Sequence, residues 1–403
     1  MNCSKSLSGI DLLLASPPAW CSWRIALVTN QAAVTSGFTP SRLALLEAGF
    51  RVVKLFSPEH GLSAMGPDGH LMRDTVDGLT GLPVISLYGD RLAPASEDLA
   101  DVDLVLFDIP DIGSRFYTYL WTMTHVLEAC ARFGRPVVVA DRPNPLSGRL
   151  ALAEGPMLDE VSCASFIGRW ALPVRHSCTL GELAGFFNTI RGIGCELEVV
   201  ACTGWDRGFF PPERSFVPLS PAIPSFESAL LYPGLCLFEA TNVSEGRGTA
   251  MPFRVVGAPW MRAGEVVDVF NRRVCGVVAG VASAGACGVT ARAVEFVPAE
   301  GKYAGRGCAG VMLHVTDMAV FRPVETGCLL LAVIRELHPG LFEWAPYATH
   351  VNPRGVGHLD LLLGVRGAEA LFESGLMIEQ AGIRKVTDAG DWADRIGSFL
   401  LYP

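Results

Sequence analysis

DLVLFDIPDIGSRFYTY, Asp103–Tyr119, is the stretch whose reading decides the fold. Leu104–Phe107 is a short unbroken apolar run, the pattern of a strand buried on both faces. It gives way at once to Asp108, Asp111, Arg115, Tyr117 and Tyr119, with Pro110 and Gly113 bending the backbone. A buried strand that ends in carboxylates, a guanidinium and phenols is what an open α/β sheet presents at its ligand crevice.

Outward from that strand the same arrangement recurs. Arg24–Thr29, Arg51–Phe56, Pro83–Leu87 and Pro136–Ala140 are apolar runs of strand length, and Glu196–Cys202 is a possible last strand of the same sheet. Between them lie helical patterns at Pro40–Ala48, Ser96–Ala100 and Tyr119–Phe133, and a further helix follows Thr179. Strand, polar end, helix and strand in alternation predict a parallel sheet wound with helices. Polar clusters fall at the strand ends: Thr29-Asn30-Gln31, Ser57–Gly61, Asp108–Tyr119 and Asp141–Asn144. The proline-rich passage Pro211–Pro224 marks a boundary, giving domains at 1–225 and 226–403. The second is α+β, with strands at Val289–Phe296 and Gly310–Val315 and helices at Glu265–Val274 and Gly327–Leu337. Near its start, Leu235–Phe238 makes an apolar approach like those of the strand ends. It leads to a dense polar loop holding Glu239, Thr241, Asn242, Ser244, Glu245, Arg247 and Thr249.

Bulk properties narrow the function. A net charge of −9 over 403 residues, with no run of basic residues, disfavours nucleic acid and anionic membrane as partners. No stretch has the apolar length of a membrane span, and the run Ile10–Ala15 is cut by Asp11, which argues against an export signal. The twelve cysteines form no CxxC pair, so reduced thiols in a cytoplasm are the expectation. Gly305–Gly310 spells GxGxxG, yet it neither follows an apolar strand nor opens a helix, so a dinucleotide site is rejected. No cofactor and no metal site is predicted; oligomeric state is left open.

Glu59 is the best candidate acid/base, because it follows an apolar strand and sits in a Pro/Gly-bounded turn beside His60. Burial raises a carboxyl pKa and lets such a group hold a proton for a leaving oxygen; His60 could orient it. Glycoside hydrolysis also needs a group on the other side of the sugar, and Asp108, Asp111, Glu239 and Glu245 are all available. Tyr117 and Tyr119 could stack on sugar faces, and Arg115, Arg142 and Arg247 could clamp a carboxylate. Asn30, Gln31, Asn144, His176, Thr241 and Asn242 complete the candidate binding set.

Many unusual strings recur here in the order of a known family. They are LVTNQAAVT (27–35), SPEHG (57–61), GLPVISLYG (81–89), LVLFDIPDIGSRFYTY (104–119), DRPNPLSG (141–148), YPGLCLFEATNVSEGRGT (232–249), FRPVETG (321–327) and the closing FLLYP. In these the chain resembles the NamZ-like exo-β-N-acetylmuramidases, glycoside hydrolases that release terminal N-acetylmuramic acid from peptidoglycan fragments. The resemblance implies a Rossmann-like doubly wound N-terminal domain, a smaller C-terminal domain, a cleft between them, and Glu59 as acid/base. Peptidoglycan-derived muramic acid saccharides are the implied partners, and their lactyl carboxylate agrees with the arginines above. The chain departs from the family at Pro110 (usually Gln), at Ala240 (usually Gly), at Leu219–Ala222 (commonly Pro-Ser-Pro-Asn) and over Leu62–Asp74. A non-catalytic amino-sugar-binding protein on the same fold is the alternative.

Overall fold

The computed structural model describes residues 6–67, 69–210, 216–274, 288–350, 352–378 and 380–403. Residues 211–215 of the proline-rich passage thus lie outside the described residues. Seven strands form the larger sheet: β1 (Ile25–Val28), β2 (Val52–Ser57), β3 (Thr75–Val76), β4 (Pro83–Ser86), β5 (Leu104–Phe107), β6 (Val137–Ala140) and β7 (Leu197–Val200). Their order is β3-β4-β2-β1-β5-β6-β7, all pairs parallel except β3 with β4. Without the two-residue β3, which the sequence pattern had not shown, this is the doubly wound dinucleotide-fold order. Its direction of winding reverses between β1 and β5.

Alternation along each strand divides the apolar side chains between two faces. Ile25, Leu27, Leu55, Leu104, Leu106 and Val138 pack with Ile10, Leu13 and Leu45, beneath the helices Gly9–Ala15 and Ser41–Glu47. Ala26, Val28, Phe56, Val105, Phe107 and Val139 pack with Leu120, Met123, Leu127 and Leu183, under the helices Tyr119–Phe133 and Leu180–Ile190. The second core continues without a break into the C-terminal half.

That half holds a three-stranded antiparallel sheet in the order β8-β10-β9, from β8 (Val255–Ala258), β9 (Val289–Phe296) and β10 (Cys308–Val315). The GxGxxG string falls in the turn into β10 and on its first residues, so strand and not helix follows it. Leu235–Phe238 is not a strand end: a helix, Phe226–Leu235, runs into a 3-10 turn, Cys236–Ala240. Gly234 explains the choice, because this helix crosses Pro323–Leu337 so closely that a Cβ at Gly234 would sit 2.0 Å from the Pro323 carbonyl oxygen. The C-terminal tail returns to the first sheet, where Tyr402 Oη donates to Asp141 Oδ2 at 2.5 Å.

Candidate active site

Outside the carboxyl ends of β2 and β5, where the two halves meet, lies a cleft of about 590 Å³, open solvent at its mouth included. Glu59, two residues beyond β2, lines it while only 6% exposed. Its Oε2 accepts from the Thr118 hydroxyl at 2.7 Å and its Oε1 from the Gly69 backbone N–H at 3.1 Å. Thr118 stands at the N-cap of Tyr119–Phe133, yet its hydroxyl makes no capping bond. Gly69 is held from the opposite half: its carbonyl accepts from His350 N–H at 2.9 Å. At φ +67° a Cβ there would approach Thr349 Cβ to 2.8 Å, so the turn needs glycine. His60 also lines the cleft, with Nδ1 2.8 Å from the Gly66 carbonyl oxygen.

Aromatic rings form much of the wall. Tyr117 packs edge-on against Tyr119 and Tyr232, with centroids 4.7 and 6.0 Å apart, and Tyr88 against Phe166 at 5.0 Å. Such rings offer flat apolar faces to a sugar.

The C-terminal half contributes the second carboxylate. Glu239, in the 3-10 turn, accepts from Arg247 Nη2 at 2.6 Å through Oε1, and its Oε2 is 3.0 Å from His358 Nε2. All three side chains line the cleft. Burial alone would raise the Glu239 pKa, but the Arg247 charge and the His358 contact outweigh it and hold the carboxyl down at about 2. Behind Arg247, Glu245 approaches its Nε at 3.4 Å and accepts from Lys302 Nζ at 3.0 Å.

Other expected site residues are placed elsewhere. Asp108 is fully buried and takes Arg142 in a two-point pair, Nε to Oδ1 at 2.6 Å and Nη2 to Oδ2 at 3.0 Å. Neither lines the cleft. Among the described residues Arg115 meets no carboxylate; its guanidinium donates to the carbonyls of Pro156, Leu172 and Leu362 at 2.6–2.8 Å, tying the two halves together. Asn144 bonds the Cys178 carbonyl and the Leu146 N–H. Asp111 accepts from Gly113 N–H at 2.8 Å and faces His176 Nε2 at 3.3 Å, while His176 Nδ1 accepts from Cys178 N–H. These two also lie off the cleft lining. Asn30 donates to Tyr119 Oη, which in turn donates to the Leu219 carbonyl, so both orient the wall from behind. Gln31 is exposed and its N–H donates to the Leu62 carbonyl. Thr241 bonds the Phe238 carbonyl and Asn242 fastens the loop to Leu341 and Glu343. The arginine fork proposed for a lactyl carboxylate is thereby reduced to Arg247.

Thr118, Tyr347, Thr349 and His358 line the cleft without having been singled out. Thr118 was hidden between two tyrosines in the opening stretch. His358 begins a short helix after a glycine-rich turn, and no local pattern marks it. Of the departures from the family strings, Ala222 lines the cleft, beside Ser220.

The N-terminal family model of the exo-β-N-acetylmuramidase NamZ matches residues 25–227, and the C-terminal one matches residues 230–402. The chain belongs to the NamZ family. The peptidoglycan β-N-acetylmuramidase NamZ of Bacillus subtilis (strain 168) is 38% identical over 379 residues, covering 93% of this chain and 86% of that protein. Two crystal structures of DUF1343 family proteins from Bacteroides fragilis NCTC 9343 share the fold over 99% of both chains. Their TM-scores are 0.84 and 0.72, at 27% and 26% identity. As a NamZ-family protein the chain is a glycoside hydrolase on an α/β fold.

Proposed function

We propose that this protein is an exo-acting hydrolase releasing terminal N-acetylmuramic acid from peptidoglycan fragments, with Glu59 as its general acid/base. The supporting observation is a pair of buried carboxylates, one from each half of the chain, on one cleft. Glu59 accepts from the Thr118 hydroxyl and the Gly69 backbone N–H. Glu239 is held by the Arg247 guanidinium and His358, which keep it an anion. Two carboxyl groups that flank a glycosidic bond can divide the acid and anion roles between them. In the proposed reaction Glu59 protonates the glycosidic oxygen as its bond to the anomeric carbon breaks. Glu239 supplies negative charge to the oxocarbenium-like centre that develops. Water then adds to that centre, its hydroxyl going to the released sugar and its proton returning to Glu59.

Glu59→Gln tests this reading. Turnover of a natural muropeptide should fall by about 100- to 10,000-fold, the worth of general acid catalysis. A chromogenic β-N-acetylmuramide with an acidic leaving group should be hurt far less. Activity within a few-fold of wild type on the natural substrate would remove Glu59 from the role and leave His60 as the next acid. A protein that binds the muropeptide yet never releases muramic acid would instead be the binding-only alternative.

We also place the protein in the cytoplasm. Supporting this are Cys130, Cys163, Cys178, Cys195, Cys202, Cys308 and Cys328, buried thiols that form no disulfide among the described residues. Recovery of the native protein with extracytoplasmic markers on cell fractionation would refute that placement.

A further inference from the structure

The proposed reaction needs Glu239 not only charged but fixed in orientation, and the cleft shows how that is done. Each carboxylate oxygen has its own donor: Arg247 holds Oε1 and His358 faces Oε2. The two donors come from opposite sides, one from the turn after Glu239 and the other from a helix more than a hundred residues later. His358 is itself constrained. Its ring is 6% exposed and lies against Tyr347 at 4.7 Å between centroids, with the planes 20° apart. The helix it begins, His358–Leu363, is pinned at its far end, where the Leu362 carbonyl accepts from Arg115. Asp360, within that helix, accepts the N–H groups of Gly367 and Ala368. Few constraints of this kind are needed merely to fill a core position, since an apolar ring would stack on Tyr347 as well.

We infer that His358 is a positioning residue for the proposed hydrolysis, holding Glu239 through Nε2 so that its carboxylate faces the anomeric centre in one orientation. The inference rests on the hydrolase reading above. Among the described residues, the charged and titratable groups around Glu239 are Arg247 and His358 at its carboxylate, Lys302 at its backbone carbonyl, Glu245 beside Arg247 and Lys302, and Glu59 and His60 on the same cleft. His358 is the group among them whose removal loosens Oε2 while leaving the Arg247 pair in place.

Reach separates this role from a structural one. A glutamine amide nitrogen can occupy the place of an imidazole Nε2, whereas an asparagine amide stops short of it. His358→Asn should lower kcat by about ten- to a hundredfold, the worth of one hydrogen bond to a charged group, with KM little changed. His358→Gln should restore kcat to within a few-fold of wild type. The loss in His358→Asn should persist on a chromogenic β-N-acetylmuramide, because a good leaving group replaces an acid but not an oriented anion. The acid limb of the kcat/KM profile should move to higher pH in His358→Asn and return in His358→Gln, since a donor to the carboxylate favours its ionised form. Thermal unfolding midpoints are measured for both variants. Wild-type kcat and an unmoved acid limb in His358→Asn would overturn the inference. So would a glutamine variant as impaired as the asparagine one at an unchanged midpoint. A wild-type protein inactive on every muramide would overturn the hydrolase reading itself, and the role of His358 with it.

Discussion

Two arginine–carboxylate pairs in this molecule look alike in sequence and differ in what surrounds them. Asp108 and Arg142 are joined at two points, and Arg142 adds a bond to the Ser41 hydroxyl. Both carboxylate oxygens face one planar fork in a site where Asp108 has no exposure. Glu239 and Arg247 share one such bond, and the other carboxylate oxygen faces His358 on the cleft wall. The first pair is a strut between β5 and the loop after β6. The second is, in the proposed reaction, an anion presented to the sugar. An ion pair therefore reveals its role through its third partner and its access to solvent, not through its residue types.

The largest effect that could break this comparison is at Asp108. Asp108→Ala leaves the Arg142 charge without its partner and should cost about 3–5 kcal/mol of stability, as lost buried pairs do. Activity per folded molecule should be kept, so unfolding measured beside turnover decides the matter. A variant with an intact melting midpoint and no turnover would show that Asp108 belongs to the chemistry after all. Glu239→Gln should instead lower kcat by about 100- to 1,000-fold, as when a preorganised charge contact to a transition state is lost, read per folded molecule because losing the anion that Arg247 holds also costs stability.

A third carboxylate sharpens the contrast through pH. Glu154 is buried beside Arg175, but Arg175 donates to the carbonyls of Phe321 and Leu146 instead of pairing with it. Burial pushes the Glu154 pKa up to about 7; the Arg175 charge and the N–H groups of Glu325 and Val324 only partly offset it. A native pKa above the ordinary carboxyl value of 4.5 means that the folded state holds this proton more tightly. This group therefore favours folding most below about pH 4.5, and stability falls as pH rises toward about 7. Glu154→Gln should remove that slope, worth up to about 3 kcal/mol. Denaturant titrations across the window would show it, and parallel curves for both proteins would refute it. The smallest effect is at Thr118. Thr118→Val deletes the hydroxyl that bonds Glu59 and should lower kcat by about tenfold, with little change in the unfolding midpoint. An unaltered kcat would show that the acid is oriented without this hydroxyl.

Much of the frame was readable along the chain. Leu104–Phe107 and Tyr119–Phe133 have the bounds expected of them, and the parallel strands differ from expectation by a residue or two at their ends. Their signals are local: unbroken apolar runs, a helical period, and Pro or Gly at the boundaries. Glu59 and Glu239 were legible for a related reason, since each follows an apolar stretch and sits in a polar turn. Leu235–Phe238 misled because a short apolar run carries the same pattern whether it is a strand or the end of a buried helix.

By itself, the sequence determined the winding of the first sheet, the edge on which the site lies and the two loops that bear the carboxylates, because each depends on neighbours a few residues apart. Only the tertiary structure decided which polar groups face the cleft. Asp108 meets Arg142 across 34 residues, Arg115 reaches Leu362 across 247, and His358 meets Glu239 across 119. Donor and acceptor types were visible in every case. Partners were not, because a buried charge or donor takes whichever complementary group the closing fold brings within about 3 Å, and nothing in the adjacent residues specifies which group that will be.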